Sequence, residues 1–143
     1  MRNIFYSHPT NDIIVDVEQM YNIHDGVIYV GIEDVHKVVS GAKNVIVLYG
    51  KGAGNNRISN ALEDAVLHTC TVADGYDLFT AEKIIIKISY PSSYPLMIAE
   101  MSEVSQFAEM FTPNINFIWG ISETQSSSSD IDVQIIASNL QKK

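Results

Sequence analysis

The densest candidate for chemistry in this chain is the string Gly50-Lys51-Gly52-Ala53-Gly54-Asn55-Asn56-Arg57. It follows an apolar run, Asn44 to Tyr49, and opens an amphipathic helix pattern, which is where backbone amides can cradle a phosphate. A triphosphate cradle also needs Lys-Ser or Lys-Thr after its last glycine, to hold the terminal phosphates and magnesium, and Asn-Asn stands there instead. The GxGxxG spacing is missing too, and no acidic residue closes a following strand. His8, His24, His36 and His68 show neither HExxH nor Cys-His spacing, so no metal centre is expected. Cys70, the single cysteine, lies on the apolar stripe of the helix pattern and reads as a buried thiol. There is no GxSxG elbow. Glu33 and Asp34 precede a short helix, where carboxylates complement the helix dipole without doing chemistry. The motifs alone describe a globular domain with no visible active site and no cofactor of its own.

The composition narrows the partners. A chain of 143 residues with 46% hydrophobic content fits one domain with its own core. Nine Lys and Arg against seventeen Asp and Glu, a net charge of −8, exclude the basic surfaces that nucleic acids and anionic membranes require. The opening MRNIFYSHPTND lacks the apolar core of a signal peptide, and no run approaches the ~20 residues that span a bilayer. A cytoplasmic protein is expected.

The elements follow from hydrophobic spacing. Met1 to Asn11 reads as a loose or extended arm. Ile13, Ile14, Val17, Met20 and Tyr21 approximate a helical face, although Ile13-Ile14-Val15 also suits a strand. After the Asp25-Gly26 turn, Val27 to Val30 is extended, and Ile32, Val35, Val38 and Val39 fall at helical spacing. Asn44 to Tyr49 is an interior strand. Ile58, Ala61, Leu62, Ala65, Val66 and Thr69 form the buried stripe of a helix over 56–71, with Arg57, Asn60, Glu63 and Asp64 on its wet face. Ile84, Ile86 and Ile88 alternate along the next strand, which stops at the PSSYP loop. Met97, Met101, Val104, Ala108 and Phe111 make a second helix, over 97–111. Ile115, Phe117, Trp119 and Ile121 line one strand face, and Ile131, Val133, Ile135 and Ala137 another. The expected fold is α+β, a four-stranded mixed sheet in the order β-α-β-α-β-β with both helices on one face. Its last two strands read as an antiparallel hairpin with a mobile serine-rich tip, and the arm and short helix lie at one end. Residues 1–24 form the arm and helix, 25–140 the domain, and 141–143 a fraying tail.

Over about Asp25 to Leu140 the chain resembles the C-terminal domain of FtsZ, the tubulin-like GTPase of bacterial cell division, and within it Bacteroidetes-type members. GIEDVHKVV resembles the family's catalytic loop and following helix, NxDFxDVxxVM. GKGAGNNRISNALEDAV resembles GxGxxxGENRAxxAxxxA, KIIIKISY resembles GVLxNIxxG, and DIDVQIIAS resembles VxVTxIAT. PLMIAEMSEVSQFAEMFTPNINFIWG resembles the run between LxxxExxEV and IxWG. The nucleotide-binding half, with its GGGTGxG loop, has no counterpart here. The resemblance therefore implies no GTP site in this chain, with GTP met only through a partner subunit. The family's catalytic Asn falls on Tyr29, its first Asp on Gly31, its Phe on Ile32 and its second Asp on Asp34, so one acid of the pair is lost. The resemblance implies a non-enzymatic, protein-binding module that caps or modulates filaments of FtsZ or another FtsZ-like GTPase. Gly31, Ile32, Glu33, Asp34, His36 and Lys37 would be its interface, and self-association is open to it. The alternative it implies is an activating half that lends Asp34 in trans to a partner's GTP hydrolysis. No nucleic-acid or membrane partner is implied.

Overall fold

A computed structural model describes residues 3–9, 26–28, 32–125 and 127–143. The predicted helix over Ile13 to Tyr21 lies outside those residues, as do His24, Tyr29 and Gly31. The described strands are β1 (Ile4–Tyr6), β2 (Gly26–Ile28), β3 (Val45–Gly52), β4 (Tyr76–Asp77), β5 (Lys83–Pro91), β6 (Asn116–Thr124), β7 (Ile131–Ser138) and β8 (Gln141–Lys142). The helices are α1 (Ile32–Val39), α2 (Arg57–Leu67), α3 (Thr69–Val72) and α4 (Met101–Ala108), with 3-10 turns at Leu78–Thr80 and Ile98–Glu100.

Six strands form the main sheet in the order β1-β3-β7-β5-β6-β2. β7 runs antiparallel to both β3 and β5, while β5 and β6 are parallel. The strands joined through helices thus share one direction, as crossover connections require. The predicted four strands are the centre of this sheet, and α2 and α4 supply one of its faces. Two expectations are corrected. The last two strands are not a hairpin, because β7 inserts between β3 and β5 and never pairs with β6. Burial explains the placement: Ile131, Val133 and Ile135 fill one face of β7 and Ile136 the other, all essentially without exposure. An outer position beside β6 would uncover one of those faces. Residues 125–130 make the crossing over β5, since six residues reach roughly 20 Å against roughly 10 Å across two strand spacings.

The second correction concerns the arm and the short helix. β1 does not hang at one end but pairs antiparallel with β3 as an edge strand. α1 covers the second face of the sheet. Val35, Val38 and Val39 pack there with Val47, Ile136, Ile85 and the partly buried Ile118, which are register partners across four strands. A fully buried valine contributes about 1.5–3 kcal/mol, so this face is a second small core. The tail does not fray either. Asn44 clamps Leu140 with both ends of its amide, at 2.9 Å and 2.8 Å. Asn139 turns at φ 60°, and β8 then pairs with β4.

The predicted helices are shorter than their apolar stripes. α2 ends at Leu67, and the chain resets at His68 before the single turn of α3. That reset buries Thr69 and exposes Cys70, which overturns its reading as a buried thiol. At the other helix, Met97 precedes the 3-10 turn and Phe111 follows α4. Phe111 is buried nonetheless, in a T-shaped cluster with Phe79 and Phe107 at 5.0 and 5.3 Å.

Candidate interaction site

The glycine string was the first candidate site, and beside Gly50 and Gly52 its geometry leaves no room for a phosphate. A Cβ on Gly50 would lie 2.1 Å from the Ala61 carbonyl oxygen, and one on Gly52 would lie 2.1 Å from that of Arg57. The end of β3 is pressed against the backbone of α2, so the space a phosphate would need beside these two glycines already holds a helix. Gly54 completes the turn at φ 82°, a conformation that side chains disfavour. These glycines join strand to helix.

Arg57, expected on the wet face, is 8% exposed. It stands in the first turn of α2, where a cation is unfavourable beside the helix dipole and needs a counter-charge. Glu100 supplies it through a forked pair, accepting from Nε at 2.7 Å and from Nη2 at 2.9 Å. Nη1 also donates to the carbonyls of Tyr94 and Ser129, and Nη2 to that of Pro95, all at 3.1 Å. Every guanidinium N–H is used, and one side chain joins α2, the loop before α4 and the serine-rich loop before β7. Hydrogen bonds from Arg57 hold the Glu100 carboxyl below its usual range, opposed by burial and helped by the Met97 amide. Below this, Glu103 accepts from the Ser59 amide and hydroxyl, a second tie between α2 and α4.

What the pinned loop presents is apolar. Tyr94 is 51% exposed, Met97 63% and Ile98 93%. A loop this firmly held has little conformational freedom left to lose on binding, so the three side chains form a preorganised surface. Periodicity could not find it: PSSYP reads as a loop and Met97 as the start of a helix's core stripe, and Arg57 and Glu100 are 43 positions apart. The one local sign was an arginine where a helix start favours acids.

The residues predicted as an interface lie elsewhere, on and before α1. α1 begins at Ile32. Glu33, His36 and Lys37 are exposed and Asp34 partly so, while Val35, Val38 and Val39 turn inward. The outward face is therefore polar. The Lys83 ammonium donates to the Lys37 carbonyl at 2.9 Å, a cation near the C-terminal end of a helix, where the dipole favours it. Among the described residues no group of three His, Cys, Asp or Glu could hold a metal ion. No described helix is long and apolar enough to cross a membrane.

No family model matches the chain. The cell division protein FtsZ of Porphyromonas gingivalis is 24% identical over 114 residues, 80% of this chain but 24% of that protein. Among solved structures, an empty FtsZ dimer from M. jannaschii superposes with a TM-score of 0.67 at 20% identity, over 84% of this chain and 37% of the other. The chain folds as an FtsZ/tubulin-like C-terminal domain. TubZ in GDP-form protofilaments from Bacillus thuringiensis serovar israelensis shares the fold at 10% identity and a TM-score of 0.67, over 91% of this chain and 36% of its own. The FtsZ-like domain thus spans about a quarter of the length of its FtsZ relative. The predicted sheet and helices find their counterparts in this fold.

Proposed function

We propose that this FtsZ-like domain is a non-enzymatic module that binds FtsZ, or another FtsZ-like GTPase, and caps or modulates its filaments in cell division. The observation that carries the reading is the arginine-pinned loop with Tyr94, Met97 and Ile98 turned to solvent, in a fold whose solved relatives include an FtsZ dimer and TubZ protofilaments. Large apolar side chains exposed together on one short loop are what a contact surface would use. The interface expected from Gly31 to Lys37, of which the polar face of α1 from Glu33 to Lys37 is described, is the second surface the partner would meet. In this reading the nucleotide is the partner's, and the crowding beside Gly50 and Gly52 supports it.

Sedimentation with GTP and the Porphyromonas gingivalis FtsZ tests this. The domain is expected to co-pellet with polymer or to reduce its mass. Ile98→Asp should remove that effect while leaving the melting temperature within ~2 °C, because a substitution at an exposed position changes stability by about 0.5 kcal/mol or less. Unchanged polymer mass with no co-pelleting refutes the proposal. Exchanging charge on α1 with Glu33→Lys then shows whether the second surface takes part.

The same mixture addresses hydrolysis. Asp34 stands in the first turn of α1, and the position three before it that would carry the partner acid is glycine. Asp34→Ala is expected to leave the partner's phosphate release unchanged at matched polymer mass. A fall of tenfold or more would instead make Asp34 a catalytic group in trans, since positioned acid–base groups contribute about 100-fold or more.

A further inference from the structure

The five exposed large hydrophobic side chains among the described residues fall into two sets. Tyr94, Met97 and Ile98 belong to the pinned loop. The other two, Leu67 at 65% and Met110 at 58%, stand at the mouth of a different feature. This is a groove of about 390 Å³ between α2 and the α4 segment. Leu62, Val66, Phe79 and Phe107 line it. Its aromatic wall is rigid, because Phe79 and Phe107 pack edge to face at 6.0 Å and both lean on Phe111.

The charged lining has one sign. Glu63 and Glu103 border the groove, and no lysine, arginine or histidine does. Two helices flank it and no sheet edge opens into it, so an occupant meets side chains and cannot add as a strand. A second copy is disfavoured, since a chain of net charge −8 would bring like charge to an acidic rim. From this we infer that the groove between α2 and α4 binds a short basic amphipathic helix of a partner protein. The helix's apolar face enters between Leu67 and Met110, and its Lys or Arg residues meet Glu63 and Glu103. The site is independent of the docking surface proposed above, because neither Ile98 nor α1 lines it.

The probe is a labelled 16-residue peptide with Leu at i, i+3, i+4 and i+7 spacing and Lys elsewhere, titrated with the full chain and followed by anisotropy. Two controls are a scrambled peptide of the same composition and one with Glu for Lys. The patterned basic peptide is expected to bind saturably and more tightly than both. Leu67→Glu and Met110→Glu should each weaken it about tenfold, the size of a central contact. These variants are decisive because they add negative charge, which would strengthen a merely electrostatic attraction. Both positions are exposed, so the fold tolerates them, and far-ultraviolet circular dichroism checks this. Equal binding of the scrambled peptide, or undiminished binding by both variants, overturns the inference. So does concentration-dependent dimerisation abolished by Met110→Glu, which would give the groove to a second copy.

Discussion

Replacing Arg57 with alanine is expected to destabilise the domain by about 3–5 kcal/mol, the range for breaking one partner of a buried ion pair. The size follows from what is left behind. Glu100, whose side chain is 16% exposed, would hold a carboxylate with no cation against it. The carbonyls of Tyr94, Pro95 and Ser129 would each lose a donor. Arg57→Lys should recover part of the loss, since an ammonium restores charge but cannot make the forked pair and the three carbonyl bonds together. Urea unfolding of the three proteins at neutral pH measures the order, wild type above Lys above Ala. Acid provides an independent check. Because Glu100 titrates below its unfolded value, its contribution is present above the usual glutamate range and is lost as pH falls through the lowered value. The wild type should therefore lose stability as pH falls below about 5, where the unfolded glutamate begins to bind a proton, and Arg57→Ala should show a smaller loss over the same fall. If Arg57→Ala unfolds at the wild-type urea midpoint, the pinned loop is not held by this residue. The variant also bears on function, for it should impair co-pelleting without touching Tyr94, Met97 or Ile98.

The residues that periodicity placed well are those whose surroundings are local. Val35, Val38 and Val39 show an inward stripe at helical spacing, and Ile84, Ile86 and Ile88 alternate along one face of β5, so both were legible, although Ile85 and Lys87 are buried on its other face. What was not legible depends on non-local pairing. The place of β7 between β3 and β5 is fixed by burial on both its faces, and the short segment DIDVQIIAS fits a hairpin equally well by pattern alone. Arg57 looks solvent-facing because helical spacing counts apolar neighbours and is blind to a carboxylate on another element. Cys70 was misplaced for a related reason, since the helix resets at His68 and Cys70 turns outward while Thr69 keeps its expected buried place. The tail's pairing was not legible because its partners, Tyr76 and Asp77, lie on a distant strand. Of the candidate sites, the acidic start of α1 was visible as a charge pattern, whereas the pinned loop and the α2/α4 groove exist only once separate elements are packed.

The second large effect is expected at Gly50 and Gly52. Adding a single methyl group at either should cost about 1–3 kcal/mol or more, as overpacking of a close contact does. At Gly50 the new carbon would meet the Ala61 carbonyl oxygen at 2.1 Å and the Ala65 nitrogen at 2.6 Å. At Gly52 it would meet the Arg57 carbonyl oxygen at 2.1 Å and the Ala61 nitrogen at 2.3 Å. These are backbone atoms of α2, so no rotamer change relieves them, and the helix itself must move off the sheet. Gly54→Ala provides the contrast. Nothing lies within 4 Å of its added carbon, and only the positive φ opposes it, a cost of roughly 1–2 kcal/mol. Urea midpoints should thus fall more for Gly50→Ala and Gly52→Ala than for Gly54→Ala. A rescue attempt separates the causes further. Ala65→Gly removes the side-chain carbon that lies 2.9 Å from the added methyl, yet it should not restore Gly50→Ala, because the shorter contacts to backbone remain. Restoration would mean that side-chain crowding set the spacing. Failure to restore would mean that the string once read as a phosphate cradle is glycine-rich because a helix backbone lies against it.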